Sequence, residues 1–344
     1  MTNTVQSRDV VIDVIKAFAI FSVIVGHNIQ YGFSDELLKS GAYFDNIVFK
    51  FIYSYHMPLF MLISGYLFGK TIDRGWKVNL KKKINALLIP LLVWGVLHLL
   101  KFVFWQIEIG DFSFKRAVWY YFDITTRQLW FLWAILWCSI IVLIVHDFFK
   151  DNIFIYIIGF VASFWIPDGY NLELYKFMYP YFIIGYFYNV RKLNRFILPR
   201  CNIINLLLLG IFFGLLLRYY SYDSYIYTSG HSVLNKMFVS QMSINIYRYL
   251  IGLVGSCFVI LLSYLLVARK KIKTTIMSYV GRETFGIYVL EGVVVLPTIV
   301  KGIHRIDYVV VFLETIYVIV ACLVMIKIIK KSSLLSKFLL GVIR

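Results

Sequence analysis

Apolar residues run along this chain in stretches of about twenty, broken by short polar or basic segments, and the alternation repeats ten times. A helix needs about 20 mostly apolar residues to cross a bilayer. The pattern predicts spans at 10–31, 47–69, 84–105, 129–148, 153–167, 174–190, 203–220, 245–268, 284–300 and 307–329. The fifth is short, and 105–128, rich in Trp, Tyr and Phe, reads as an interfacial segment. The expected fold is all-α: a polytopic membrane helix bundle forming a single domain over 1–344, with no separate soluble domain. The polar segment Met1–Asp9 lacks a cleavable signal pattern.

Composition supports this reading. The chain is 60% hydrophobic and only 15% charged, whereas soluble domains run near 45–50% and about 25%. Its four cysteines form no CxxC pair, so neither a metal site nor a disulfide framework is expected. The net charge of +17 raises the question of nucleic acid. The basic residues, however, fall in the short 70–83, 191–200 and 269–282 loops and in the tail. With Arg8 and Lys150 these account for 22 of the 35 Lys and Arg residues, all on one side of a ten-span bundle. That is the positive-inside pattern, which places both termini in the cytoplasm and leaves no nucleic-acid partner to explain.

The first span breaks the apolar rule. VVIDVIKAFAIFSVIVGHNIQ carries Asp13, Lys16 and His27. Ionisable groups in a membrane segment mark a functional site by default and face the bundle interior or a wet cavity. Lys16 and His27 are 11 residues apart, about three helical turns, so they share a face and lie roughly 16 Å apart along the axis. Asp13 falls on the same face. In the expected orientation Lys16 lies toward the cytoplasm and His27 toward the outer surface. His56 opens HMPLFMLISGYLF in the second span, at a depth similar to His27. Pro58 disrupts backbone hydrogen bonding there, and Gly65 permits close helix approach. Two imidazoles on adjacent helices suit proton transfer near neutral pH. His98 and His146 read as core or interfacial residues, His231 as part of a solvated loop at 221–244, and His304 as solvent-exposed.

Four segments, in order, resemble the membrane acyltransferase-3 family, in particular its fucose 4-O-acetylase-like branch. They are RDVVIDVIKAFAIFSVIVGHN, HMPLFMLISGYLF, QLWFLWAILW (128–137) and RETFGIYVLEG (282–292). The resemblance runs from about residue 8 to 330. It implies transfer of an acyl group, most often acetyl from acetyl-CoA, to a hydroxyl of a sugar or related acceptor. The family's Arg-x10-His pair falls on Lys16 and His27, with the lysine usual in this branch. Lysine keeps the charge but loses the bidentate geometry of arginine. Glu291 stands where the late segment often ends in His.

On that resemblance His27 is the candidate base or acyl-carrying nucleophile. His56 would orient it or bind the acceptor, and Glu291 would accept or orient a proton, or pair with a basic side chain. Asp13 completes the catalytic set. Lys16 suits the CoA phosphates or neutralises Asp13, and Arg127, Gln128 and Trp130 are candidate contacts for acetyl-CoA. No tightly bound cofactor and no metal is expected, with acetyl-CoA serving as donor. The expected partners are a surface polysaccharide or its lipid-linked precursor and membrane lipid, in the bacterial cytoplasmic membrane. The alternative is a transporter or flippase for a lipid-linked saccharide, which ten spans and buried charges suit equally. Inverted repeats with paired broken helices, frequent in transporters, are not evident in the sequence.

Overall fold

A computed structural model describes residues 9–33, 35–193, 197, 200–225, 227–228, 230–235, 238–268, 274–294 and 305–342. His304, Arg8, Arg195, Arg344, the basic run 269–273 and the last residues of the ninth expected span, 295–300, lie outside the described residues. The described residues form helices joined by turns and loops, with no strand.

The helices are α1 (Val10–Tyr31), α2 (Asp35–Ser40), α3 (Ile47–Gly69), α4 (Trp76–Lys83), α5 (Ile89–Glu108), α6 (Phe114–Asp123), α7 (Trp130–Phe149) and α8 (Ile153–Ser163). They continue with α9 (Leu172–Val190), α10 (Ile203–Leu217), α11 (Phe238–Ala268), α12 (Thr274–Arg282), α13 (Thr284–Val294), α14 (Tyr308–Ile329) and α15 (Ser333–Leu340). A π-turn at Ile84–Leu88 joins α4 to α5, making Trp76–Glu108 one long apolar helix. Six of the described helices are long and apolar enough to cross a membrane: α1, α3, α4–α5, α7, α11 and α14. The apolar helices at 153–163 and 203–217 are shorter than the sequence pattern suggests. Pro58 does not break α3, which runs through it.

Backbone contacts divide the chain into two compact units. The first contains residues 1–60, 194–220 and 251–324. Here α1 starts at Asp9, whose carboxylate accepts from the Ile12 amide at 3.3 Å. The helix then packs along α12 so closely that a Cβ on Gly281 would collide with the Asp13 carbonyl. Small residues allow this kind of backbone approach. Buried hydroxyls tie the neighbouring helices together. Ser22 on α1 and Tyr55 on α3 hydrogen-bond at 2.8 Å, and Ser256 on α11 donates to the Tyr55 carbonyl at 3.4 Å.

The second unit contains residues 61–193, 221–250 and 325–344. Its tightest crossing is between the end of α3 and α9. A side chain on Gly185 would drive into the Leu62 carbonyl, and one on Gly65 into that of Phe182. Because rigid backbone is the obstacle, Gly185→Val is expected to cost about 3 kcal/mol or more. A lowered and broadened thermal melt in detergent checks this; an unchanged melt rejects the crossing. Elsewhere in this unit His146, Asp151, Tyr156 and Tyr186 form a polar cluster. Asp151 Oδ2 lies 2.7 Å from His146 Nδ1 and accepts from the Tyr186 hydroxyl at 2.9 Å, while Oδ1 accepts from Tyr156 at 2.8 Å.

His231 is not solvated as the sequence suggests: it is 2% exposed. Asp168 draws the segment inward, its Oδ2 accepting the His231 and Ser232 amides at 2.8 Å each, while Oδ1 pairs with Lys176 Nζ at 2.8 Å. The imidazole sits among Phe164, Phe177 and Tyr249, and neither ring nitrogen has a hydrogen-bond partner among the described residues. Burial pushes its pKa from 6.5 down to about 3. The positive charges of Arg248 and Lys176 add to the fall and Asp168 opposes it. A histidine depressed on folding stays neutral when buried, so its contribution is intact above pH 6.5 and is lost as pH falls toward 3. The loss amounts to about 1.4 kcal/mol per pH unit. His231→Phe fills the cage without a titrating group. It should flatten the acid side of a melting-temperature profile, and an equally steep profile in the variant rejects this account.

Candidate active site

The first unit brings together residues far apart in the chain. His27 lies on the penultimate turn of α1, and α13 places Glu291 against it with Nδ1–Oε1 at 3.2 Å. The Glu291 side chain is 6% exposed and that of His27 32%. The carboxylate therefore forms the floor and the imidazole the accessible face. A carboxylate oxygen accepts, so the hydrogen sits on Nδ1 and the lone pair of the neutral ring is on Nε2. Among the described residues Glu291 Oε2, which is buried, has no hydrogen-bond partner. The desolvated carboxylate thus has the imidazole as its bonded partner, which favours any positive charge that develops on His27.

His56 is buried on α3 and lies within electrostatic reach of His27. Its Nδ1 lies 2.9 Å from the Ile52 carbonyl. A carbonyl only accepts, so this ring too presents a lone pair at Nε2. Tyr53 packs edge-on against it, with ring centroids 4.8 Å apart, and donates to Gln30 Oε1 at 2.8 Å. Gln30 belongs to the last turns of α1. The Tyr53–Gln30 bond therefore fixes the His56 region relative to the His27 end of that helix.

The lower part of the expected column follows the unbroken helix. Asp13 is buried near Gly281 and Lys16 is half-buried. About 16 Å of helix separates Lys16 from His27, so these two cannot act on the same atoms. Arg127, Gln128 and Trp130 belong to the second unit. Arg127 is exposed and pairs with Asp123 at 3.2 Å, Gln128 is exposed in a π-turn, and buried Trp130 donates to the Tyr227 hydroxyl at 3.0 Å.

One residue of this region went unread in the sequence. Glu314 on α14 interrupts YVVVFLETIYVIVACLVMI, and its buried Oε2 has no partner among the described residues. The rule that flagged α1, an ionisable group inside an apolar span, applies equally to this glutamate.

Among described residues no cluster of His, Cys, Asp and Glu has metal-binding geometry. Comparison with known proteins gives a consistent picture. Two curated relatives, nodulation proteins NolL from Mesorhizobium japonicum and from Sinorhizobium fredii, are each 29% identical, over 191 and 193 residues. Each alignment covers 53% of this chain, which spans about half the length of the curated relatives it matches, 48% and 49%. No solved structure matches. The sequence profile of the acyltransferase domain of the acyltransferase-3 family matches residues 9–329. Nearly the whole chain lies in that match, including His27, His56 and Glu291, and the protein belongs to the acyltransferase-3 family.

Proposed function

We propose that this chain is an integral membrane O-acetyltransferase. It moves acetyl from acetyl-CoA to a sugar hydroxyl of a surface polysaccharide or its lipid-linked precursor, in the bacterial cytoplasmic membrane with both termini inside. The observation that carries the reading is the His27–Glu291 pair, a base held in one tautomer by a buried carboxylate.

The chemistry follows from that geometry. A sugar hydroxyl is a poor nucleophile until a base takes its proton. Nε2 of His27 accepts that proton as the hydroxyl oxygen attacks the thioester carbonyl carbon. The imidazolium that forms is stabilised by Glu291, as a carboxylate stabilises the histidine of a hydrolytic triad. The C–S bond then breaks, and the proton passes from Nε2 to the departing thiolate, giving the acetyl ester and free CoA. His56, with its own Nε2 lone pair, orients the acceptor hydroxyl. Lys16, nearer the cytoplasmic end of α1, offers a point charge for the CoA phosphates.

The test uses full-length protein in detergent with acetyl-CoA and glycans from the host surface. The expected result is acceptor-dependent release of CoA and an acetyl added to the glycan in mass spectra. If deleting the gene leaves glycan acetylation intact but blocks glycan export, the protein is a transporter and this reading fails.

A further inference from the structure

Besides Asp13, the mechanism leaves unused an acid on α14 whose carboxylate has one buried oxygen. Glu314 lies on α14, whose next residue, Thr315, accepts a hydrogen bond from the Asn28 amide at 3.1 Å. Asn28 follows His27, so α14 crosses α1 beside the proposed catalytic base. The glutamate faces the C-terminus of α1: a Cβ on Gly32 would stand 3.0 Å from Glu314 Oε2. A carboxylate oxygen held in an apolar helix and left without a hydrogen bond costs free energy that protein interiors rarely leave uncompensated.

Several described polar groups nearby are already engaged. The Asn28 amide is held by Thr315, whose hydroxyl in turn donates to the Val311 carbonyl at 2.7 Å. Gln30 accepts from Tyr53 at 2.8 Å and donates to the Tyr43 hydroxyl at 3.5 Å. The Gly32 amide closes onto the Asn28 carbonyl at 2.8 Å. Glu314 Oε2 thus remains, like the Glu291 oxygen beside His27, a buried acceptor with no partner among the described residues. Five residues of helix separate Gly32 from His27, about 7.5 Å of rise. Tyr31 lies between them in sequence. Its half-exposed ring stands 5.9 Å from the His27 ring.

We propose that Glu314 is an acceptor-binding residue: its free carboxylate oxygen receives a second hydroxyl of the saccharide whose first hydroxyl is presented to His27. This rests on the acetyltransferase reading and adds its specificity. The acceptor must carry two hydroxyls at a set separation, so that a sugar lacking the second is a poor substrate even when the acylated hydroxyl is present.

The experiment measures acetyl transfer from radiolabelled acetyl-CoA to a panel of methyl pyranosides and their monodeoxy analogues, using full-length wild type, Glu314→Gln and Glu314→Ala. Loss of a charge-assisted hydrogen bond should raise the acceptor KM about tenfold to a hundredfold in the alanine variant, and less in the glutamine variant, whose amide oxygen still accepts. The KM for acetyl-CoA should not move. One deoxy analogue should lose the same factor with wild type, yet be no worse than its parent sugar with Glu314→Ala. The near-isosteric glutamine variant carries the test if alanine impairs folding. An unchanged acceptor KM, or KM values for both substrates rising together with a lower melting temperature, makes Glu314 a structural acid and overturns the proposal. Absence of transfer by wild type to every sugar instead overturns the acetyltransferase reading on which it stands.

Discussion

Acetyl transfer by a His27→Gln variant is expected to fall by about three orders of magnitude, within the range for loss of a general base, while the protein remains folded. The choice of glutamine matters. Alanine would remove the proton donor facing Glu291 and leave a buried carboxylate unpaired, a change that costs about 3–5 kcal/mol when a buried pair loses one partner. A fall in activity could then reflect a disturbed bundle. The glutamine side chain can still donate an N–H toward Glu291 Oε1, and its amide has no basic lone pair near neutral pH. The comparison separates holding Glu291 from accepting a proton. Steady-state CoA release and a thermal melt suffice to make it. If His27→Gln turns over like wild type, His27 is a packing residue and the proton goes elsewhere, with His56 the next group to examine.

Much of this centre was legible because membrane sequences are read against a strict background. In a span that must be apolar, Asp13, Lys16 and His27 stand out individually, and a 3.6-residue repeat places them on one face before any tertiary contact is known. His56 stood out in the same way, whereas Glu291 was raised only by the family resemblance. The pairing of His27 with Glu291 was not legible. It depends on how α13 meets α1, and the buried residues of the two helices, Ile20, Ile24, Ile287 and Leu290 among them, are interchangeable as sequence. The close fit of Gly281 on the Asp13 backbone is a similar case, since one glycine among 21 carries no label. His231 was misread because a polar loop composition suggests solvent. The structure instead shows one carboxylate, Asp168, collecting two amides and a lysine and drawing the imidazole among aromatic rings. The shorter helices at 153–163 and 203–217 show the limit of hydropathy alone: an apolar stretch can extend past the residues whose backbone is helical.

Glu291→Gln should separate stability from activity more sharply than any other change in this centre. The wild-type carboxylate is desolvated, and one of its oxygens has no hydrogen-bond partner among the described residues. Replacing it with a neutral amide of the same shape removes a buried charge, so stability should stay level or rise, by up to about 3 kcal/mol for relief of an unsatisfied charged group. Activity should move the other way. An amide does not neutralise the imidazolium that forms as the hydroxyl gives up its proton. It can also turn its N–H₂ toward His27, which would place the ring hydrogen on Nε2 and eliminate the base. For a triad aspartate the corresponding change costs about 10⁴ in kcat; with a more accessible imidazole here, about 10²–10⁴ is expected. Glu291→Asp keeps the charge but retracts the oxygen from Nδ1, so it should fall between wild type and the glutamine variant in rate and show no gain in stability. Melting curves and single-turnover acetyl transfer on the three proteins test both halves. Wild-type rates in Glu291→Gln would reduce Glu291 to a buried acid that happens to touch His27. A matched loss of rate and stability would make it a structural strut. A loss of rate with stability held or gained is the signature of a carboxylate placed there for chemistry, at a cost that the fold absorbs.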